Sequence, residues 1–150
     1  MADSERIAEI RCLSRPEQLQ VVRQRLRGVL GDCGCAQELI NLIVLAINEA
    51  VMNIMQHAYK GKPSGEIVLE IRRVDNELVF LLIDHADPVD VAGIKSRCLD
   101  DVRPGGLGVH IINTIMDKVT FLKCPEGTGN QLELRKKMPM PGVGENGTGG

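Results

Sequence analysis

The chain has 150 residues, of which 43% are apolar and only 2% aromatic, and 18 basic against 20 acidic residues give a net charge of −2. This is the length of one domain, and a domain of this size buries enough surface to need neither a disulfide nor a metal. The scarcity of aromatic rings argues against a protein that stacks single-stranded nucleic acid, and the balanced charge argues against a duplex binder, so no direct nucleic-acid contact is expected.

The N-terminus and the cysteines both favour a cytoplasmic protein. Residues 1–6 contain no basic region followed by an apolar stretch, so no signal peptide is expected. No apolar run approaches the ~18 residues of a membrane helix, so no membrane contact is expected either. The chain has five cysteines, of which only Cys33 and Cys35 are close together in sequence. We expect the cysteines to be small buried apolar residues and not metal ligands.

The first half of the chain predicts one strand and two helices. Loose alternation over residues 7–13 indicates an opening strand. Ser14 is the predicted N-cap of a helix from about residue 15 to residue 30, which carries one apolar stripe. Residues 36–59 contain no Pro or Gly and are apolar round most of a helical circumference. That pattern predicts a long, central, buried helix.

The second half predicts a hairpin, a loop, a helix and two closing strands. Alternation at residues 67–71 and a continuous apolar run at residues 78–83 form the hairpin. The charged stretch from residue 84 to residue 105 is long enough to predict a functional loop, such as a lid. A helix opens at residues 105–108. The closing strands are predicted at residues 119–122 and 132–134.

The order of these elements decides the predicted fold class. Strands and helices do not alternate strictly, so a doubly wound parallel sheet is not expected. The order favours an α+β fold, a two-layer sandwich with helices on one face of a mixed, mostly antiparallel sheet. The other face of the sheet is then solvated or covered by a partner. Residues 1–138 form the predicted domain, and residues 139–150 form a disordered tail rich in Gly and Pro.

The long helix carries three polar residues at a spacing that suggests chemistry. Glu49, Asn53 and His57 are spaced i, i+4 and i+8, so they are predicted to project from one side. Burying a carboxylate among apolar residues costs several kcal/mol unless it is paired or bound. A carboxylate here can act as a general base, and an amide oxygen one turn later can hold Mg²⁺. The alternative is that Glu49 and Asn53 satisfy each other or cap a nearby loop.

Two further groups of residues each have a functional and a structural interpretation. Asp84 ends the most buried strand, where it can accept a hydrogen bond from an exocyclic amine such as that of adenine. It can equally be a turn-forming Asp before Pro88. Gly105, Gly106 and Gly108 stand at a helix start, where backbone amides can approach an anion. They can also form only a flexible loop, and the dinucleotide pattern G-x-G-x-x-G is absent.

Taken together, the three groups resemble one family. Residues 48–59, NEAVMNIMQHAY, resemble the N-box of the Bergerat-fold ATPases, and more closely the helix of the anti-sigma-factor serine kinases of bacterial stress and sporulation control. Residues 83–90 resemble the adenine-site segment of that family, and residues 103–112 resemble its second glycine box. The resemblance extends from about residue 7 to residue 137.

The resemblance implies a role for each matching residue. Glu49 would be the general base toward a seryl hydroxyl or water, Asn53 would ligate Mg²⁺ at the ATP phosphates, and Asp84 would accept the adenine amine. The glycine box would cradle the phosphates beneath a lid formed by residues 87–105. Its members are Gly105, Gly106, Leu107, Gly108 and Val109.

Two more residues are candidate contacts near the phosphates, Arg103 from its charge and position alone. His57 matches the His of the family helix, and Arg103 could reach the terminal phosphate from the lid. Ala86 departs from the family, which usually has Gly at that position of the adenine segment. The methyl group there either weakens ATP binding or is accommodated.

The implied function is that of an ATP-dependent protein serine kinase and anti-sigma factor, with ATP and Mg²⁺ as cofactors. Its partners would be a small anti-anti-sigma (STAS-type) protein, which it phosphorylates, and a sigma factor, which it sequesters. A homodimer is expected. Because of Ala86, a protein-binding regulatory module without kinase activity, switched by nucleotide or independent of it, stays open as the alternative. A regulatory domain of another bacterial pathway also stays open.

Overall fold

A computed structural model describes residues 4–85, 106–122 and 129–138 of the chain. Its elements follow the predicted order of strands and helices. They are β1 (Ser4–Leu13), α1 (Gln18–Asp32), α2 (Gln37–Asn53), β2 (Glu66–Val74), β3 (Glu77–Asp84), α3 (Gly106–Ile115), β4 (Lys118–Leu122) and β5 (Asn130–Lys137). The predicted tail at residues 139–150 lies outside the described residues.

The five strands form one sheet in the order β1-β2-β3-β5-β4, and each of the four neighbouring pairs is antiparallel. The α+β class is confirmed. The sheet was expected to be mixed and mostly antiparallel, and all four pairs of described strands are antiparallel. β3 and β4 run in the same direction and are connected through α3, but β5 lies between them, so the parallel relation never becomes a hydrogen-bonded ladder.

The core lies between the helices and one face of the sheet. On this inner face, alternate strand residues are almost fully buried, among them Ile10, Leu69, Phe80 and Leu134. α2 packs against both α1 and α3, and α1 also packs on β1. Burial of these side chains drives the assembly at roughly 25 cal/mol per Å² of apolar surface removed from water. The core is mainly aliphatic, as the composition predicts.

The start of α1 differs from the prediction. α1 begins at Gln18, and Ser14 makes no side-chain cap. The backbone N–H of Ser14 instead donates to the carbonyl of Gly65 at 2.7 Å, so the chain continues along the line of β1 before it turns. The Ser14 side chain is 3% exposed, and its hydroxyl has no hydrogen-bond partner among the described residues. Ser14 as the N-cap was therefore wrong.

The segment Gln37–Ala58 is long and apolar enough to cross a membrane by length and composition alone, with a mean hydropathy of 1.5. Half of its most apolar window is buried inside the domain. The central position of α2 between two helices accounts for this apolarity, because a core helix needs apolar residues on several sides. The segment is therefore weak evidence for a membrane span.

The outer face of the sheet, opposite the helices, is covered by ion pairs. Arginine and glutamate side chains approach to between 2.7 and 3.1 Å, mostly within one strand and, for Arg6 and Glu70, between β1 and β2. The pairs are Arg6–Glu9, Arg6–Glu70, Arg11–Glu9, Arg72–Glu70 and Arg135–Glu133. These charges have partners within the chain, and both options for this face, solvation and a covering partner, stay open.

Candidate functional site

The long helix changes its hydrogen-bond pattern immediately after Asn53. Residues Ile54–Ala58 form a π-helical turn, and the backbone N–H of Tyr59 donates to the carbonyl of Ile54 at 3.0 Å. π-turns inside helices occur frequently at functional sites. Glu49 and Asn53 keep the predicted one-turn spacing on α2, whereas His57 lies in the π-turn and is exposed.

Glu49 and Asn53 are half-buried, so the helix buries the two polar side chains in part. The core-facing side of α2 is formed by Ile43, Ile47 and Ala50, which places the two polar residues on its flank. Among the described residues, neither polar side chain has a hydrogen bond or ion pair, so they do not satisfy each other. The carboxylate of Glu49 and the amide of Asn53, half-buried and without partners in the described part of the chain, are thus candidates for binding a ligand.

Asp84 is the last residue of β3 and is 3% exposed. It pairs with Ile67 across the sheet, on the inner face with the core residues of that strand. Its Oδ1 accepts a hydrogen bond from Nδ2 of Asn130 at 3.0 Å. Buried carboxylates are rare unless they are paired. Asp84 thus belongs to the buried end of a strand, and the turn before Pro88 that the alternative interpretation requires lies outside the described residues.

Three residues that sequence reasoning missed surround Asp84. Asn130 begins β5 and holds the carboxylate, as described above. Gly129 has φ +85°, and a Cβ atom there would collide with the carbonyl oxygen of Asp84. Tyr59 donates its hydroxyl to the carbonyl of Glu66 and accepts the backbone N–H of the residue after Asp84. Burial, as the largest cause, raises the pKa of the Tyr59 phenol.

The register between β3 and β5 explains why Asn130 and Gly129 escaped notice. Asp84 and Asn130 are directly opposite residues of the antiparallel pair, although 46 positions separate them in the chain. In the sequence, residues 127–130 stand only as a turn between the two predicted closing strands. A prediction that the end of β3 pairs with the start of β5 would have found both residues.

The glycine box is described in part. α3 begins at Gly106, so Gly106, Leu107 and Gly108 form its first turn, and Val109 follows half-buried. A helix start at this place was predicted, and its free N–H groups have the polarity that suits an anion. Ala86, Arg103 and Gly105, together with the predicted lid at residues 87–105, lie outside the described residues.

The described residues offer a divalent cation few ligands of their own. No group of three or more His, Cys, Asp or Glu side chains lies together in the described part of the chain. Mg²⁺ commonly takes one or two protein oxygens and completes its octahedron with phosphate oxygens and water. The amide oxygen of Asn53, which has no partner within residues 4–85, 106–122 and 129–138, fits that mode of binding.

The described cysteines are free thiols with a structural environment. Cys12 is buried in the core, while Cys33 and Cys35 are half-buried beside it. Burial raises the pKa of Cys12 to about 11 and also raises the pKa of the other two thiols. Since the thiolate is the reactive form, these residues act as small apolar side chains, as predicted. Cys98 and Cys124 lie outside the described residues.

The sequence of the chain is similar to those of a known protein family. The family model of the histidine kinase-like ATPase domain matches residues 12–136. The serine-protein kinase RsbW of Staphylococcus aureus is 29% identical over an alignment of 154 residues, which covers 97% of both chains. The RsbW of Bacillus licheniformis is 27% identical over 119 residues, covering 74% of both.

A solved structure shares the fold. The crystal structure of the RsbU and RsbW domains of a Mycobacterium tuberculosis protein superimposes with a TM-score of 0.63 at 20% identity. The match covers 89% of this chain, which spans about a third of that longer chain (33%). The family match extends over most of the sequence and includes the helix of Glu49 and the strand of Asp84. The chain therefore belongs to the histidine kinase-like ATPase domain family.

Proposed function

We propose that this protein is a cytoplasmic, ATP-dependent protein serine kinase and anti-sigma factor. The observation that carries the proposal is the half-buried carboxylate of Glu49, which has no partner among the described residues and lies one turn before Asn53. Similarity to the RsbW serine-protein kinases over nearly the whole chain supports the same activity. A module that only bound other proteins would have no use for such a carboxylate.

In the proposed site, the adenine and the phosphates of ATP are recognised by different residues. Asp84, held by Asn130, accepts the exocyclic amine of adenine with its carboxylate. At the other end, the first-turn amides of α3 face the phosphates, and the side-chain oxygen of Asn53 holds Mg²⁺. His57 and Arg103 are the proposed additional contacts near the phosphates. When bound, the metal ion neutralises the phosphate charge.

In this mechanism the protein supplies positioning and one proton acceptor. Phosphoryl transfer depends mainly on orientation and electrostatic stabilisation. Glu49 orients the seryl hydroxyl of the acceptor protein and takes its proton. General-base catalysis of this kind contributes on the order of 10²–10⁴-fold in rate. The acceptor we propose is an anti-anti-sigma (STAS-type) protein, and the sequestered partner is a sigma factor.

The acceptor protein must cover the surface beside Glu49. Leu42 and Leu45 on α2 are 45% and 44% exposed. Leu45 lies four residues before Glu49, and Leu42 lies three residues before Leu45. They therefore form a row with the proposed base. An acceptor that presents its serine to Glu49 would bury these two side chains. We also propose a homodimer, for which the first helix with its exposed Val21 offers a surface.

The test is phosphotransfer with Glu49→Gln. Wild-type protein is incubated with labelled Mg-ATP and a candidate acceptor, and phosphoserine is read by mass spectrometry. The variant keeps the shape of the side chain and loses its charge, so the rate should fall at least 10²-fold while ATP binding stays within a few-fold. Glu38→Gln, an exposed carboxylate on the same helix, is the matched control. An unchanged rate in Glu49→Gln rejects the proposed base.

A second candidate function is a binding module without kinase activity. Ala86 favours it, because the family usually has Gly in the adenine segment. Calorimetry with Mg-ATP separates the two functions. No binding at millimolar ATP, restored in Ala86→Gly, would favour the module, whereas binding by the wild type together with phosphoserine on the acceptor supports the kinase.

A further inference from the structure

The hydroxyl of Tyr59 occupies a place where the sheet ladder would otherwise continue. β2 and β3 are joined by the two-residue turn Asp75–Asn76, so Val74 and Glu77 form the closing pair that exchanges hydrogen bonds. Bonded and non-bonded pairs alternate along an antiparallel ladder. Counting along the register from the turn, Glu66 and His85 are the next pair expected to bond directly after the last ladder pair.

In the structure the Tyr59 phenol oxygen stands between these two backbone groups. The backbone N–H of His85 donates to the Tyr59 hydroxyl oxygen at 2.7 Å, and that hydroxyl donates to the carbonyl of Glu66 at 2.6 Å. One expected ladder bond is thus replaced by two bonds through an inserted oxygen. The direct pairing of the two strands therefore ends at Asp84.

The ring of Tyr59 has little freedom to leave this place. It is 8% exposed and follows the π-turn, to which its own backbone N–H is bonded. Gly65 provides the space that the ring fills, since a Cβ atom at that position would collide with the ring. Tyr59 is therefore fixed to the helix of Asn53 at its backbone and to the strand of Asp84 at its hydroxyl.

We propose that Tyr59 is a positioning residue that wedges open the end of the β2–β3 ladder and sets where Asp84 lies relative to Glu49 and Asn53. The inference rests on the proposed ATP site. Without the hydroxyl, the strand ends either close into a direct bond or leave the N–H of His85 unpaired, and the carboxylate moves in both cases. The wedge acts on the adenine end of the site and not on the proposed base.

Tyr59→Phe tests the wedge. By NMR, the amide proton of His85 should change its exchange rate and chemical shift, because it loses its hydroxyl acceptor. The Kd for Mg-ATP by calorimetry should rise about tenfold, which corresponds to one hydrogen bond of typical net strength. In the kinase assay the KM for ATP should rise by the same factor, while kcat at saturating ATP stays within twofold.

Two further variants make the result decisive. Gly65→Ala keeps the hydroxyl but displaces the ring, so it should reproduce the His85 signature and the rise in KM even if Tyr59→Phe folds poorly. Ile10→Val on β1 removes one core methyl group and is the control for general destabilisation, with no expected change at His85 or in KM. Unchanged His85 exchange and ATP affinity in both Tyr59→Phe and Gly65→Ala overturn the proposal, as does an equal loss in the control.

The two proposals fail in different ways. If the wild-type protein binds no Mg-ATP, the proposed function fails and the positioning role fails with it, while the His85 amide still shows whether the wedge exists. If the wild type binds Mg-ATP and the two variants bind it equally well, only the positioning role of Tyr59 is rejected.

Discussion

Ser14 is a buried residue whose hydroxyl has no partner among the described residues. An unsatisfied buried polar group costs roughly 1–3 kcal/mol, so removing it should help the fold. We expect Ser14→Ala to raise the free energy of unfolding by about 1 kcal/mol, and the melting temperature by about 2–4 °C for a chain of this length. Urea denaturation measures the change.

Ser64→Ala, in the exposed loop before β2, is the matched control and should change the free energy of unfolding by less than about 0.5 kcal/mol. A clear loss of stability in Ser14→Ala would mean that the hydroxyl has a hydrogen-bond partner in solution.

Asp84 and Asn53 should respond differently to Mg²⁺. Asn53→Ala removes an oxygen ligand, so it should weaken ATP binding mainly when Mg²⁺ is present. Asp84→Asn removes the charge of the adenine acceptor, so it should weaken binding with or without the metal. Calorimetry in Mg²⁺ and in EDTA separates the two cases. Equal losses for both variants under both conditions would show that the adenine and metal roles are wrongly assigned.

The residues of the site were only partly predictable. Glu49, Asn53 and Asp84 stood out because charged or amide side chains interrupt apolar patterns. Tyr59 and Asn130 did not, since a Tyr at a helix end and an Asn in a turn are ordinary in sequence. Their contacts to the end of β3 depend on strand register and on the space at Gly65 and Gly129, which a single sequence does not display.

At the scale of elements, periodicity located every described helix and strand, but their ends depended on local hydrogen bonds. α1 begins three residues after its predicted start, and the N–H of Ser14 donates to the carbonyl of Gly65 at the end of β1. The π-turn at Ile54–Ala58 was not predictable from the apolar pattern, since one shifted turn barely alters it. The first departure lies at the start of α1, and the second lies directly after Asn53 at the end of α2.

The outer sheet face should make stability depend on acid pH through Glu70. Burial tends to raise the pKa of Glu70, but hydrogen bonds and charges from Arg72 and Arg6 outweigh it and lower the pKa below its usual value. A carboxyl with a lowered folded pKa stabilises the fold above its unfolded pKa of about 4.3. That stability is lost as the pH falls from there through the folded pKa.

Glu70→Gln should therefore lower the free energy of unfolding at pH 7 and flatten its decline below about pH 4.3. Urea denaturation at a series of pH values between neutral and acid measures both effects. Glu17→Gln, an exposed carboxylate just before α1, is the control and should leave the pH profile unchanged. A profile of Glu70→Gln parallel to that of the wild type would show that the ion pairs of Glu70 do not persist in solution.

At the scale of the whole molecule, one layer of helices covers one face of the sheet and leaves the other to ion pairs. The order of elements was enough to predict two layers. It was not enough to place β5 between β3 and β4, because that choice depends on which strand edges are free after α3 crosses the sheet. This insertion brings Asn130 opposite Asp84, so the topology itself completes the proposed adenine end of the candidate site.

The row of Leu42 and Leu45 beside Glu49 should decide how well a protein substrate binds. The double variant Leu42→Ala, Leu45→Ala removes exposed apolar surface and keeps good helix formers, so α2 should stay intact. Truncating apolar contacts at the centre of an interface commonly costs about 1 kcal/mol or more each. We expect the KM for the acceptor protein to rise at least tenfold, with kcat and the Kd for Mg-ATP unchanged.

The matched control is Phe121→Ala, which removes an exposed apolar side chain of similar accessibility (39%) from β4 and leaves α2 unaltered. It should leave the KM for the acceptor within twofold, because an acceptor whose serine reaches Glu49 must lie over α2. Steady-state kinetics with the acceptor as the varied substrate gives both values. If the control raises the KM and the double variant does not, the acceptor approaches from the side of β4, and Glu49 is then not the residue that receives its serine.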